Sequence, residues 1–314
     1  MISQGALTPK ISVVIPTFNR AHLVADAIRS AVGQLFPPLE IIVVDDGSTD
    51  GTRQIVSSIS GKIPVHYYWQ PNQGHAVALN RGVATAKNEW IAFLDSDDVW
   101  YPNKLAVQVA HMEACREVPF FYCDMDYVVL DHTGTERPTT RGWDSVLIPL
   151  IFNGYPNAHA PTVLIRKAVF QQLGGFNPTL RLGVSWELFA RVAHEYPIHY
   201  IPERLAKQRL HPEQTTRNMH LRAESYHRFH ACMWELWKGD RVKRTILTRD
   251  TARVYADLGR HFLRTGDHAE ARRCFRRSLS YGPWSLKNWR RLGISYLPGL
   301  REWYGVRKAK PAAH

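Results

Sequence analysis

The stretch WIAFLDSDDVW, residues 90–100, decides the fold of this chain. Its apolar first half, Trp90–Leu94, has the length of a strand and ends abruptly in three carboxylates, Asp95, Asp97 and Asp98. A short apolar run with such a boundary is typical of a strand buried on both faces. We therefore expect the acids just beyond the carboxyl end of a central strand, where open α/β sheets bind their ligands.

These clustered carboxylates would repel one another unless a cation or hydrogen bonds neutralised them. Hard oxygen ligands with room for water suit Mg²⁺ or Mn²⁺, which usually bridge to the phosphates of a substrate. The alternative is a solvated acidic turn before a helix that begins near Pro102–Asn103, because Asp is common in turns. The organisation of the rest of the chain favours the metal site.

Strand-like and helix-like segments alternate along the residues that precede this stretch. Apolar strands are predicted at Ile11–Pro16, Glu40–Val44 and Val65–Trp69, and helices at Ala21–Val32, around Ile55, Val56 and Ile59, and at Gly74–Ala86. This alternation predicts the α/β class, with a doubly wound, mostly parallel, Rossmann-like sheet.

A second acidic cluster, Asp45 and Asp46, follows the predicted strand Glu40–Val44. Because the carboxyl ends of parallel strands meet at one edge of a sheet, we expect both acidic clusters in one crevice. Such a crevice would suit a nucleoside on one side and a metal-bound diphosphate on the other. The sequence has no glycine-rich dinucleotide fingerprint and no phosphate loop that ends in Gly-Lys-Ser/Thr. A phosphate site here must therefore depend on metal.

Four motifs, in this order, resemble those of family 2 glycosyltransferases: ISVVIPTFNR at 11–20, VVDDGSTDGT at 43–52, NQG at 72–74 and FLDSDD at 93–98. The resemblance covers roughly the first 215 residues and implies the GT-A fold. It also implies transfer of a sugar from a nucleotide-sugar, first of all a UDP-sugar, to an acceptor hydroxyl with inversion at the anomeric carbon. The expected setting is the synthesis of an envelope or extracellular polysaccharide, or of another glycan, on a glycan or lipid-linked acceptor.

The resemblance also assigns individual positions. It implies that Thr17 lies beside the nucleoside and that Asp46 hydrogen-bonds a uracil-like base. Asp95 and Asp97 match the Asp-x-Asp motif, with Asp97 as the direct metal ligand. The positions implied in donor binding are Pro16, Thr17, Phe18, Asp45, Asp46, Gly74, Asp95 and Ser96.

His211, within RLHPE at 209–213, matches a family histidine that lies near the diphosphate or the metal. The predicted metal ligands are therefore Asp97, Asp95 and His211. The alternative for His211 is a surface or core side chain, because the chain has 15 histidines.

The chain departs from the family where the catalytic base is expected. An acidic pair should precede Trp186, but Val184 and Ser185 occupy these positions. A serine hydroxyl is a weak base unless another group activates it. The nearest carboxylate is Glu187, which is either the base or a structural acid paired with Arg191 one helical turn later. Glu187 and Ser185 are the predicted catalytic residues.

Composition and charge set limits on the class of protein. With 314 residues, 45% of them hydrophobic, the chain can bury a large core. Met1–Lys10 lacks the apolar core of a secretory signal, and no run approaches the roughly 20 apolar residues of a membrane span. Four scattered cysteines predict reduced thiols in a cytoplasmic protein. The net charge of +12 is confined to the end of the chain, since 18 Lys and Arg face only five Asp and Glu from Arg241 onward.

The region from Met219 onward is predicted to be a separate basic helical extension, so that the catalytic domain spans residues 1–218 and the extension 219–314. A 34-residue period in it resembles a tetratricopeptide repeat: Tyr255, Leu258, Gly259 and Phe262 recur as Trp289, Leu292, Gly293 and Tyr296, and Ala271, Phe275 and Pro283 complete the first unit. Too few units are present to stand alone, so the extension should pack on the catalytic domain or a partner. Basic residues lie between its aromatics: Arg272, Arg273, Arg276, Arg277, Arg290 and Arg291.

Three interpretations of these arginines remain open. They form a solvated surface, a surface that docks on an anionic membrane or a protein, or a nucleic-acid site, which is disfavoured because no recognised nucleic-acid module accompanies them. We expect a cytoplasmic enzyme, peripheral on the inner face of a membrane. The competing hypothesis is a catalytically weakened protein that binds sugar nucleotides or acts as a scaffold on the same fold.

Overall fold

The computed structural model describes residues 9–130, 135–139, 158–211 and 214–296. The chain divides into two compact units, Met1–Arg217 and Asn218–His314. Pro212 and Glu213 of the predicted histidine motif lie outside the described residues.

The first unit begins with alternating strands and helices: β1 (Ile11–Thr17), α1 (Val24–Val32), β2 (Glu40–Asp45), α2 (Thr52–Ser58), β3 (Val65–Trp69), α3 (His75–Thr85) and β4 (Trp90–Phe93). The strands are parallel in the order β3–β2–β1–β4, and Val14 of β1 is aligned with Ile42 of β2 and Phe93 of β4. The predicted parallel sheet is confirmed, and both acidic clusters follow strands that end at the same edge.

The remaining elements of this unit extend the sheet: β5 (Val99–Trp100), α4 (Lys104–Ala114), β6 (Phe120–Leu130), β7 (Glu136–Thr139), a 3₁₀ turn (Ala160–Thr162), β8 (Leu164–Arg166), α5 (Lys167–Gln172), α6 (Val184–Glu195) and β9 (His199–Leu210). The full order is β3–β2–β1–β4–β8–β6–β9–β5, with β7 beside β6. Strand β8 is antiparallel to both β4 and β6, whereas β6 and β9 are parallel. The sheet is thus parallel on one side and mixed on the other.

Helices cover both faces of the parallel half. Val13 and Ile15 pack in one core cluster with Ala27 and Ile28 of α1. On the opposite face, α3 approaches β1 so closely that a Cβ at Gly82 would lie 2.3 Å from Cγ1 of Val14. Burial on both faces explains why these strands are continuous apolar runs rather than alternating ones.

The described part of the second unit, up to Tyr296, contains α7 (Met219–Leu236), α8 (Arg241–Thr265), α9 (His268–Tyr281) and α10 (Leu286–Ser295). Gly266, with a left-handed φ of 90°, ends α8, and Asp267 caps α9 by accepting from the backbone N–H of Glu270 at 3.0 Å. Gly259 lets Phe275 pack against α8, because a Cβ there would lie 2.8 Å from its ring. The predicted helical extension is confirmed.

Within the described parts of the chain, no helix is long and apolar enough to cross a bilayer. All four cysteines are free thiols.

Candidate functional site

The carboxylate of Asp46 joins the end of β2 to the Asn-Gln-Gly motif. Its Oδ1 accepts from the side chain of Gln70 at 2.7 Å and from the backbone N–H of Gln73 at 2.9 Å, and its Oδ2 accepts from the N–H of Gly74 at 2.8 Å. Asp46 is only 4% exposed. Two motifs that are separate in sequence are therefore one structural element.

The neighbouring Asp45 shapes the turn after β2. Its Oδ1 accepts from the N–H of Ser48 at 2.7 Å, and its Oδ2 accepts from the hydroxyl of Tyr67 at 2.7 Å. Asp45 is fully buried. Both carboxylate oxygens of Asp45 are thus hydrogen-bonded within the protein, so that Asp45 stabilises the loop after β2.

The loop after β1 interlocks with the loop after β2. Asn19, at a left-handed φ of 50°, donates its N–H to Ser48 Oγ at 2.8 Å, and its side-chain oxygen accepts from the N–H of Thr49 at 2.9 Å. Beside this junction, Phe18 is 44% exposed, and the buried hydroxyl of Thr17 has no hydrogen-bond partner among the described residues. An exposed aromatic ring next to an unpaired hydroxyl is suited to a ligand that has both a planar face and polar groups.

The two acids of the Asp-x-Asp motif have different environments. His211 Nε2 lies 3.0 Å from Asp97 Oδ2, and Arg20 Nε lies 3.9 Å from the same oxygen. Burial raises the pKa of Asp97, but the His211 hydrogen bond and the charges of His211 and Arg20 outweigh it, so that the pKa is lowered overall. Burial raises the pKa of Asp95 to about 6, opposed by His75 at 3.7 Å and reinforced by Asp97.

Asp98, the third acid, is held inside the protein by Arg209. Asp98 Oδ1 accepts from the backbone N–H of Arg209 at 3.0 Å, and burial raises the pKa of Asp98 well above its usual range. The Arg209 guanidinium donates to the backbone oxygen of Asp97 at 2.7 Å, to Asp26 Oδ2 at 2.9 Å and to the backbone oxygen of Leu23 at 3.3 Å. Arg209 thus fastens the acidic loop to α1.

The site fits a hard divalent cation. Asp95 Oδ1 is buried without a hydrogen-bond partner in the described structure and has His75 Nε2 at 3.7 Å, so that a bound cation would further stabilise it as a carboxylate. Asp97 supplies a second oxygen ligand that favours its ionised form. No group of three or more His, Cys, Asp or Glu in the described ranges could hold a metal ion alone. A cation bound here would therefore complete its coordination with substrate phosphates and water, as Mg²⁺ commonly does.

His211 is buried beside this pair, as its motif predicts. Its Nε2 contacts Asp97, and its Nδ1 has no partner within the described residues. Direct ligation of a metal by His211 stays a prediction, because its contact with Asp97 also suits a role in orienting that carboxylate.

The segment expected to carry the base begins helix α6. Gly183, with a left-handed φ of 75°, precedes Val184, and Ser185 is half-buried in the first turn. Glu187 is 5% exposed and accepts two hydrogen bonds from Arg191, at 2.8 Å to Oε1 and 2.6 Å to Oε2. Of the two alternatives for Glu187, the ion pair is the one present in the structure. Its role as a base, and that of Ser185, stay predictions.

Arg191 also links α6 to the turn at residues 174–177, Gly-Gly-Phe-Asn, which precedes this helix. Its guanidinium donates to the backbone oxygens of Leu173 and Gly175, the latter at 2.7 Å. From the other side, the Asn80 side chain of α3 donates to the backbone oxygen of Phe176 at 2.8 Å and accepts from its N–H at 2.9 Å. The Glu187–Arg191 pair therefore stabilises a turn that α3 also holds.

Three side chains in or near the site were not predicted from the sequence. Gln70 and Arg209 are polar residues that hold the acidic loops, and only the position of Arg209 inside a motif signalled it. His159 lies just before the 3₁₀ turn, where its Nε2 is 3.3 Å from the hydroxyl of Tyr127 and its ring packs edge-on against Trp186 at 6.2 Å. Burial lowers the pKa of His159 to about 4, so that it is neutral at physiological pH. No sequence signal pointed to His159.

The glycosyl transferase family 2 model matches residues 12–174 of this chain. An uncharacterized glycosyltransferase of Rickettsia prowazekii is 31% identical over 76% of this chain and 73% of that protein. The chain belongs to glycosyl transferase family 2. The putative teichuronic acid biosynthesis glycosyltransferase TuaG of Bacillus subtilis is 41% identical over a shorter stretch, 44% of this chain and 57% of that protein.

Solved structures show the same GT-A fold as this family 2 chain. A mannosyltransferase from Pyrobaculum calidifontis, in complex with GDP-Man and Mn²⁺, has a TM-score of 0.60 with 19% identity, covering 95% of this chain and 82% of that one. S. aureus TarS 1–349, in complex with UDP-GlcNAc, has a TM-score of 0.58 with 19% identity, covering 91% and 79% of the two chains. The predicted α/β class is confirmed, and so is the resemblance to family 2 glycosyltransferases.

Proposed function

We propose that this family 2 protein is a metal-dependent, inverting glycosyltransferase that transfers a sugar from a UDP-sugar to an acceptor hydroxyl of an envelope or extracellular polysaccharide. One observation carries the proposal: a buried oxygen of Asp95 that no hydrogen bond satisfies lies after β4, two residues before the charge-stabilised Asp97, at the sheet edge where β2 also ends before Asp46. The names of two relatives support the polysaccharide setting, namely TuaG and the putative colanic acid biosynthesis glycosyl transferase WcaA of Escherichia coli.

We assign the chemistry to the first unit. Asp95 and Asp97 would hold Mg²⁺ or Mn²⁺, which when bound supplies positive charge for the departing diphosphate. Arg20, 3.9 Å from Asp97, adds a guanidinium charge at the same place. On the other side of the crevice, Phe18 offers a planar face and the Thr17 hydroxyl a hydrogen bond to the nucleoside.

Asp46 has a supporting part in the same scheme. It already accepts three hydrogen bonds from the protein, and Oδ2 accepts only one of them, so that a second lone pair can receive a pyrimidine N–H. The three hydrogen bonds from the protein keep the Asp46 carboxylate fixed before a donor binds, which lowers the entropy cost of recognition.

Inversion requires a group that takes the proton from the acceptor hydroxyl on the face opposite the leaving diphosphate. Glu187 contacts Arg191 through both of its carboxylate oxygens, so that as the base it would place the proton on an oxygen that already accepts from a half-buried guanidinium. The locked pair, together with Val184 and Ser185 at the expected acidic positions, favours a second candidate function. In that case the protein binds sugar nucleotides on the same crevice with weakened catalysis.

A calorimetric screen of UDP- and GDP-sugars with and without Mn²⁺ tests the proposal, followed by transfer assays with glycan and lipid-linked acceptors. We expect Mn²⁺ to raise the affinity for a nucleotide-sugar by at least about tenfold, which corresponds to about 1.4 kcal/mol. Absence of nucleotide-sugar binding under every condition refutes both candidate functions. Binding without turnover on any acceptor supports the weakened protein and rejects the enzyme.

A further inference from the structure

Helix α10 in the second unit buries two polar side chains and exposes large apolar ones, although its Leu292 packs against the core of the unit. Leu286, Trp289 and Tyr296 are 82%, 53% and 49% exposed, whereas Asn288 and Ser295 are 7% and 0% exposed. A helix on the surface of a globular unit normally has the opposite arrangement. Exposed apolar side chains of this size, grouped together, usually mark an interaction surface.

The buried polar residues are satisfied, so the orientation of α10 is well determined. The Asn288 side chain donates to Ser278 Oγ at 2.9 Å, and the backbone oxygen of Ser295 accepts from Arg272 at 2.9 Å. Rotating the helix to bury Trp289 would break these buried hydrogen bonds, each of which is costly to leave unmade.

The exposed apolar residues form one continuous stripe. Positions 286, 289, 293 and 296 have the three- and four-residue spacing of a single helix face. Trp284, immediately before the helix, is 93% exposed. We call Trp284, Leu286, Trp289 and Tyr296 the aromatic stripe.

Positive charge surrounds the aromatic stripe. From His268 to Tyr296 the chain has seven Lys and Arg and one acid, Glu270. The exposed cations in this part of the structure are Arg273, Arg276, Lys287 and Arg290.

The structure also narrows the basic surface expected from the sequence. Arg272 lies over the ring of Tyr296 at 5.0 Å, Arg277 donates to the Tyr255 hydroxyl at 3.5 Å and Arg291 donates to Asn288 Oδ1 at 3.1 Å. These three arginines are half-buried and bonded within the unit. Some of the four exposed cations also have contacts within the unit, such as Arg273 with Glu270 at 2.9 Å and Arg276 with the Tyr296 hydroxyl, but their exposure lets them meet a partner.

We propose that the aromatic stripe docks on an anionic lipid bilayer, with its rings among the headgroups and the adjacent cations against lipid phosphates. Trp and Tyr favour the boundary between water and hydrocarbon, where their rings are buried and their polar atoms stay hydrated. A helix with Trp and Leu on one face and Lys and Arg beside it is typical of segments that lie in this boundary. Pairing of two copies through the same surface would bring like charges together, which disfavours a second copy as the occupant. The proposal does not depend on the identity of the donor or the acceptor.

Sedimentation of the full chain with vesicles tests this inference. Vesicles of phosphatidylcholine mixed with phosphatidylglycerol should bind the protein at least about tenfold more tightly than vesicles of phosphatidylcholine alone. Trp284→Ser/Trp289→Ser and Lys287→Glu/Arg290→Glu should each weaken binding to the mixed vesicles by about tenfold or more, because one removes apolar burial and the other removes the attraction of two cations. The circular dichroism spectrum and the Tm should stay unchanged in both variants, which shows that the second unit is folded.

Arg53→Glu/Lys62→Glu is the matched control, since it changes the net charge equally at exposed positions of the first unit. We expect it to keep most of the vesicle binding. Equal losses in the control and in Lys287→Glu/Arg290→Glu would show that net charge alone acts, and would overturn the inference. So would equal binding to both kinds of vesicle. If the protein does not bind vesicles, and light scattering shows a dimer that Trp284→Ser/Trp289→Ser dissociates, the stripe contacts a second copy instead.

Discussion

Replacement of Glu187 by Gln separates a base from a structural acid. The variant removes the counter-charge of Arg191, which makes hydrogen bonds of 2.8 and 2.6 Å to a carboxylate that is 5% exposed. Breaking one partner of a buried pair costs about 3–5 kcal/mol, and for a unit of about 200 residues each kcal/mol lowers the Tm by about 2–4 °C. The structure therefore predicts a fall in Tm of about 6–20 °C in thermal denaturation followed by circular dichroism.

Measurement of kcat shows whether Glu187 is also the catalytic base. If Glu187 is only structural, the folded variant should keep its kcat at a temperature well below its Tm. If Glu187 is the base, kcat should fall by about 10²-fold or more with nucleotide-sugar affinity retained. Glu187→Gln/Arg191→Met is the control, because it removes both charges and should recover part of the lost stability. A single variant with unchanged Tm would refute the structural reasoning, because the pair would then contribute nothing to folding.

Four further variants test the rest of the site. Asp97→Ala should abolish Mn²⁺-dependent binding of a nucleoside diphosphate in calorimetry, because no other described side chain replaces its oxygen; unchanged metal-dependent affinity in a folded variant would contradict the Asp-x-Asp assignment. Arg209→Met should lower the Tm by several degrees and weaken the Mn²⁺-dependent binding, since it leaves the carbonyl of Asp97 without its donor at about 1–3 kcal/mol, with Arg209→Lys as a partial rescue. Ser185→Asp should raise turnover if the chain has lost a base at that position, and an unchanged or lower rate in a folded variant would locate the base elsewhere. The pKa of His159 is lowered to about 4 in the folded state, against about 6.5 in the unfolded state, so the unfolded state binds the proton first and the protein loses stability as the pH falls below 6.5. Between pH 7 and pH 5, chemical denaturation should therefore show a loss of unfolding free energy that is about 2 kcal/mol smaller for His159→Gln than for the wild type. Equal losses would contradict this account.

Local pattern was enough to predict the parallel half of the first unit. The strands Ile11–Thr17 and Glu40–Asp45 are buried on both faces, and such strands are continuous apolar runs in any sequence that encodes them. The positions of Asp46 and Asp97 after their strands follow from the same pattern, because parallel strands end at one edge. The repeat in the second unit was likewise readable, since its spacing is a property of one helix pair.

The direction of strand β8 and the hydrogen-bond partners of Asp46 and Arg209 could not be predicted from local pattern. Strand β8 runs antiparallel to β4, and nothing in its three residues distinguishes that orientation from the parallel one. The hydrogen bonds of Asp46 to Gln70 and Gly74, and those of Arg209 to Asp97, join residues that are far apart along the chain. Such contacts depend on where the whole chain brings two segments together, and no local periodicity encodes that.

Two features show the division most clearly. The spacing of Glu187 and Arg191 by four residues allowed an ion pair, yet only the buried, two-pronged contact in the folded unit favours it over a catalytic base. Residues 286, 289, 293 and 296 of the second unit have the three- and four-residue spacing that predicts a helix, but this spacing does not show which face the helix buries. That face is decided by the hydrogen bond of Asn288 to Ser278, because a buried polar group must find its partner, and the apolar residues are left on the surface as a consequence.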